Sequence, residues 1–224
     1  MLVLGLDTSS PAVSAALVRL APEPQLLAES VVLDGRRHGE LLACGVREVL
    51  RGVAPAELAA VVVGTGPGPF TGLRVGLATA AALADALGIP AYGVCSLDAV
   101  PGGDVVPGGD VVVVADARRK EVYWARYAHG SRVEGPGVEP PAALAERLRA
   151  RPKPPALVGA GAVLHREVFA GLQVVDQPRH PSAYRLVLLA SARVLTGELS
   201  DPLTPLYLRR PDAVAPGAAK KVTA

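Results

Sequence analysis

Asp7 and Asp116 are the two acids whose surroundings give them chemistry to do. Each ends an apolar strand beside a tight turn: Leu2–Leu6 runs into Asp7-Thr8-Ser9-Ser10-Pro11, and Val111–Ala115 runs into Asp116-Ala117-Arg118-Arg119-Lys120. Carboxylates held on one rim between two related halves could bind magnesium or orient water in phosphoryl transfer. An Asp at a turn also commonly accepts hydrogen bonds from its own backbone, and composition alone favours that plainer role. The cations Arg118–Lys120 could meet phosphate or a partner's carboxylates, or stand solvated at a hairpin tip. A third feature is Gly64-Thr65-Gly66-Pro67-Gly68-Pro69-Phe70-Thr71-Gly72-Leu73-Arg74. Its glycines permit positive φ or close approach, and its prolines fix φ. Three uses stay open for it: a phosphate cradle at a helix N-terminus, an anchor for a partner surface, or a corner between strand and helix. No lysine follows its glycines as G-x-x-x-x-G-K-[ST] requires, and Pro67 and Pro69 stand where a phosphate-facing turn would offer N–H groups.

Other chemistries lack their residues. His38, His129, His165 and His180 are scattered without HExxH spacing, and no G-x-S-x-G elbow occurs. Cys44 and Cys95 lie far apart in apolar surroundings, which reads as two buried thiols and not as a disulfide scaffold. A net charge of +2 and one tryptophan do not describe an independent nucleic-acid carrier. The start of the chain lacks a basic region and long apolar run, and no run of 18 apolar residues appears, so the expectation is a cytoplasmic protein with no membrane partner.

The elements that would position these residues can be read in order. Leu2–Leu6, Val13–Leu20 and Leu26–Leu33 predict a β-meander, where a Rossmann domain would pass straight from strand to helix. Leu41, Leu42, Gly45, Val46, Val49 and Leu50 fall at helical spacing within Gly39–Leu50. Val61–Val63 predicts a strand, Gly72–Leu87 a helix and Pro90–Val94 another strand. Gly72, Gly76, Ala80 and Ala84 form a small-residue line that would admit a second helix or serve core packing. Pro101–Gly109 is the candidate domain boundary. Val111–Ala115 and Glu121–Ala128 then echo the opening hairpin, which suggests a duplicated fold. Further on come a helix at Pro141–Ala150, strands at Ala156–Val158 and Gln173–Val175, a short helix at Ala162–Phe169 and a helix at Ala183–Leu195. The last helix has Leu186, Leu189, Ala190 and Val194 inward. Pro205–Arg210 reads as extended.

Five segments carry a family resemblance: Leu4–Ser9, Arg37–Leu42, Val63–Arg74, Asp116–Tyr123 and Pro205–Arg209. In these segments, which keep the family's order and span nearly the whole chain, the sequence closely resembles the bacterial TsaB (YeaZ) family. That family comprises catalytically degenerate relatives of TsaD in the synthesis of threonylcarbamoyladenosine on tRNA. The resemblance implies an α/β fold of the actin/sugar kinase/Hsp70 type, with two related αβ domains and mixed sheets. Residues 1–100 would form the first domain and 110–210 the second, the 183–195 helix packing back on the first; 211–224 would be a disordered tail.

The resemblance also implies function. The chain would be a non-catalytic scaffold that binds TsaD, with TsaE joining at the junction. The complex transfers threonylcarbamoyl from threonylcarbamoyl-AMP to adenosine 37 of tRNAs reading ANN codons, so tRNA is met through the complex. No cofactor would be required. Asp7 and Thr8 match a degenerate phosphate-loop position with at most weak nucleotide binding. The helices from Gly39 and Gly72 would meet TsaD, or a second copy in a homodimer when TsaD is absent, through Leu42, Val46, Val49, Phe70, Leu73, Arg74, Gly76, Leu77 and Ala80. The family usually has serine where this chain has Pro69, so a hydroxyl and a backbone donor are lost there. Two enzyme readings compete: a glycoprotease-type metallopeptidase, which the lack of paired histidines opposes, and a small ATPase or kinase using Asp7 and Asp116.

Overall fold

A computed structural model describes residues 1–100, 109–200 and 202–209. The candidate boundary, apart from Gly109, and the 211–224 tail lie outside the described residues. Two five-stranded sheets organise the chain. In the first, β1 (Leu2–Asp7), β2 (Ala12–Arg19) and β3 (Gln25–Leu33) form the meander, and β4 (Leu58–Gly64) and β5 (Ala91–Val94) add in parallel on the other side of β1, giving the order β3-β2-β1-β4-β5. The second sheet repeats this plan with β6 (Asp110–Asp116), β7 (Val122–Ala128), β8 (Ser131–Glu139), β9 (Ala156–Val158) and β10 (Val174–Val175), in the order β10-β9-β6-β7-β8. β6 therefore occupies the place of β1, and the echo around Asp7 and Asp116 is one topology used twice.

Continuous apolar runs belong at the centre of such sheets because both faces are covered. On one face of the first sheet lie α1 (His38–Val49) and α2 (Phe70–Leu87), with Leu4, Leu6, Leu42, Val49, Val61, Val63, Leu77 and Ala80 in one cluster. On the other lies α5 (Ala183–Thr196), whose Ala183, Leu186, Val187, Ala190 and Val194 pack on Val3, Val18 and Val62. Val187 takes the inward place expected of Leu189, which is exposed. The second sheet has α3 (Pro141–Arg149) and α4 (Ala160–Leu164) on one face. Its other face is covered from the first lobe, by Leu97 and Val100, and by Leu208 of the C-terminal arm.

Two local expectations change. The helix expected over Ala162–Phe169 is the shorter α4 followed by turns. β8 is a strand that the sequence pattern does not announce, because Gly135-Pro136-Gly137 interrupts it; an edge strand tolerates a proline that a central strand would exclude.

Candidate functional site

The glycine-rich turn, the two Asp-ended hairpins and the C-terminal arm meet around one cleft between the lobes. Asp7 sits beneath its first-lobe wall, fully buried. Its Oδ1 accepts from the Ser9 amide (2.9 Å) and Ser9 hydroxyl (2.7 Å), and its Oδ2 from the Ser96 hydroxyl (2.7 Å). Ser96 Oγ in turn accepts from the Gly66 amide at 3.1 Å, so the carboxylate fixes the glycine-rich turn. Burial pushes the Asp7 carboxyl above the ordinary Asp range, against which the bonds from Ser96 and Ser9 act. Thr8, also buried, donates to the Gly72 carbonyl in the first turn of α2 (2.7 Å). Both phosphate-loop candidates are thus spent inside the protein, and neither lines the cleft. The Asp7 carboxylate, with three internal donors, is closed off from solvent.

Asp116 stands apart from this network. It is exposed on the cleft wall, and its Oδ1 accepts from the Arg118 amide at 2.8 Å. The two acids do not converge on one site. Among the described residues no group of three His, Cys, Asp or Glu side chains could hold a metal. The β6–β7 turn places Arg118, Arg119 and Lys120 at φ 59°, 50° and 62°. Left-handed backbone in residues other than glycine costs of order 1–3 kcal/mol each, a strain that collects at functional turns.

The small-residue line faces inward. Gly72, Gly76, Ala80 and Ala84 are all buried. A Cβ at Gly72 would lie 2.6 Å from the Thr8 carbonyl oxygen, and one at Gly76 would strike Thr8 Oγ1. Leu42, Val49, Leu73 and Leu77 are buried too, so six of the nine residues expected at a partner surface belong to the protomer's own core. The physical reason is that α2 must lie close to β1 and β4 to bring its N-terminus over Thr8. Val46 is half-buried, while Phe70 and Arg74 are exposed. The outward face of α2 instead carries Arg74, Ala78, Ala81, Ala82 and Asp85, beside Ala43, Cys44 and Arg47 on α1. Cys44 is exposed, contrary to expectation, and Cys95 is partly buried; both are free thiols.

The C-terminal arm ties the two lobes together. Leu206 N–H donates to the Thr65 carbonyl (2.8 Å), and Tyr207 stacks on Phe70 with centroids 5.1 Å apart. Leu208 enters the second lobe's cluster, and Arg209 bonds the Ala117 carbonyl (2.9 Å) and pairs with Glu121. Eight residues thus bind both lobes. A second tie is Asp98, which accepts from the Tyr127 hydroxyl at 2.7 Å and pairs with Arg132 at 3.3 Å.

Pro69 is the N-cap of α2, which therefore has no side-chain cap, and its first turn holds no acid. The outer compartment in front of it measures ≈ 810 Å³. An inner compartment of ≈ 230 Å³ is walled chiefly by Pro11, Pro67, Leu97, Val113 and Pro181. His180 borders it, its imidazole held below the ordinary range by burial and by Arg179.

Duplicated sheets around a cleft define a two-lobed protein of the actin/sugar kinase/Hsp70 type, here with the turn at Asp7–Ser9 closed by internal bonds. The family model described as "TsaD: tRNA N6-adenosine threonylcarbamoyltransferase" matches residues 32–156, more than half of the chain. An uncharacterized protein of Mycobacterium tuberculosis is 50% identical over 94% of this chain and 93% of its own length. The tRNA threonylcarbamoyladenosine biosynthesis protein TsaB of Bacillus subtilis is 30% identical over 96% of this chain and 97% of its own. The solved structure of YeaZ from Pseudomonas aeruginosa superimposes with a TM-score of 0.75 at 29% identity, covering 92% of this chain and 99% of that one. The chain belongs to the TsaB (YeaZ) family.

Proposed function

We propose that this chain is the subunit that binds TsaD and supports threonylcarbamoyl transfer from threonylcarbamoyl-AMP to adenosine 37 of tRNAs reading ANN codons, with TsaE in a ternary complex. As a TsaB family member it serves tRNA modification in an accessory, non-catalytic role. The observation that carries the accessory reading is the closed loop: Asp7 and Thr8 hold the chain's own glycine-rich turn and α2 instead of a ligand. The kinase reading loses its two acids to separate places, Asp7 in the interior and Asp116 on the cleft wall.

The TsaD-binding surface we propose is the outward face of α1 and α2, with Val46, Arg74, Ala43, Ala78, Ala81 and Ala82. α2 is long and apolar enough to cross a membrane by length and composition, yet its large side chains Leu73 and Leu77 are used in the core. What remains outside is an alanine face, which lets a partner helix approach closely. The same face would join two copies when TsaD is absent. The division at 101–109 and a cytoplasmic location belong to the same proposal. Purified TsaD, TsaE, threonylcarbamoyl-AMP and unmodified tRNA, with and without this chain, test it; equal modification rates in both would end it. Stoichiometric zinc with peptide turnover would favour the metallopeptidase, and phosphate release by the chain alone that vanishes in Asp7→Asn would favour the ATPase.

A further inference from the structure

Four arginines from three separate segments line the outer compartment of the cleft, although the whole chain carries only +2. Arg36 comes from the loop before α1, Arg118 and Arg119 from the strained β6–β7 turn, and Arg209 from the C-terminal arm. Asp116 is the sole carboxylate among the lining residues, and one of its oxygens is already bonded to the Arg118 amide. Arg209 is occupied in holding Ala117 and Glu121, which leaves it a buttress for the turn. Arg36 and Arg118 are exposed. The uncapped first turn of α2 forms another part of the same wall.

Guanidinium groups present paired donors that match phosphate oxygens, and a helix N-terminus adds amide donors and a positive dipole end. Beside them Tyr207 stays 39% exposed; it stacks on Phe70, whose ring also carries the Arg74 guanidinium 4.4 Å from its centroid, so a third arginine and an aromatic surface adjoin the cations. Cations with an adjoining aromatic surface suit single-stranded nucleic acid, whose phosphates meet the charges and whose bases or riboses meet the rings. An acidic peptide would use the charges and leave the rings idle. We infer that this compartment is an RNA groove that takes a short single-stranded run of the tRNA's phosphodiester backbone. The inference rests on the tRNA-modification reading above. It gives the chain a share in substrate binding that its low net charge conceals, because the positive groups are concentrated in one place.

The test is binding of tRNA to the assembled complex of this chain with TsaD, measured against salt concentration, for the wild type and for the double variant Arg36→Gln/Arg118→Gln. Each phosphate contact on a single strand contributes about 0.7 to the slope of log K against log salt, so the double variant should lose about 1.4 and bind roughly tenfold more weakly at low salt. Thermal unfolding and complex formation should be unchanged. Unchanged affinity and slope in an intact complex would overturn the groove while leaving the accessory role standing. Loss of complex formation would overturn it too, by assigning the arginines to acidic side chains of the partner. Photo-crosslinking of 4-thiouridine-substituted tRNA to the wild-type complex decides the matter without a variant. Adducts are expected in peptides spanning 34–38, 116–123 or 202–209, and adducts confined to TsaD would refute the groove. Failure of the accessory reading would show separately, as tRNA modification indifferent to the chain.

Discussion

Gly76→Ala adds one methyl group to the face of α2 that rests on Thr8, and its cost can be worked through. The new Cβ meets Thr8 Oγ1, with Thr8 Cβ at 3.6 Å and Val63 Cγ2 at 3.7 Å behind it. Thr8 is fixed by its bond to the Gly72 carbonyl. If Thr8 rotates away, a buried hydroxyl loses its partner, at about 1–3 kcal/mol. If α2 moves outward, overpacking costs a similar 1–3 kcal/mol. Replacing glycine within a helix returns about 1 kcal/mol of propensity. A net destabilisation of about 1 kcal/mol, with a urea m-value of about 2.5 kcal/mol/M, lowers the unfolding midpoint by roughly 0.4 M. Ala78→Arg lies two residues further on but on the exposed face, and should leave the midpoint within about 0.2 M, since exposed substitutions usually change stability by less than 0.5 kcal/mol. It should nevertheless weaken TsaD binding at least tenfold by burying a charge. Urea denaturation followed by circular dichroism, paired with a pull-down on TsaD, reads both effects. An unshifted midpoint for Gly76→Ala, or equal destabilisation by both variants, would refute the assignment of inner and outer faces.

Three further outcomes follow from the bonds and burial described. Truncation after residue 201 removes the arm that joins Thr65 and Phe70 to Ala117 and Glu121, so the single unfolding transition of the full chain should split or broaden; coincident transitions in calorimetry would count against the strap. Asp7 has a folded pKa raised by burial, so the folded state holds a proton that the unfolded chain releases near 3.8, and stability relative to Asp7→Asn should fall as pH rises from there through the raised value. A flat difference in denaturation midpoint across that window would contradict this. Cys44 should react with a thiol reagent at once in the folded protein, whereas Cys95, whose thiol is pushed up by burial and by Asp98, should react at least tenfold more slowly; equal rates would refute that ordering.

The sequence made the fold legible where period and polarity agree. The β-meander, the two Asp-ended hairpins and α2 announce themselves, since apolar runs bounded by Gly, Pro and Asp have few alternatives. β8 was hidden by Gly135 and Pro136, whose tolerance depends on the strand lying at a sheet edge, a fact of topology and not of local sequence. The inner and outer faces of α2 were equally hidden. Both are built from small residues, and only the position of Thr8 beneath Gly72 and Gly76 distinguishes them. Ser96 carried no signal at all: nothing in Cys95-Ser96-Leu97-Asp98 says that one hydroxyl will bridge Asp7 to the Gly66 amide across 89 positions of chain. Tyr207 and Arg209 could be seen to matter through the resemblance, but their contacts run to residues more than 80 positions away.

The arm at 202–209 has a consequence for how this molecule can take part in an assembly. Two-lobed proteins that act on a ligand commonly do so by hinging, and their outline changes through the cycle. Here the last described stretch of polypeptide is stitched to both halves, by backbone at Thr65, by ring at Phe70 and by guanidinium at Ala117. A body so fastened keeps one silhouette, and whatever docks on it meets a jig of constant shape.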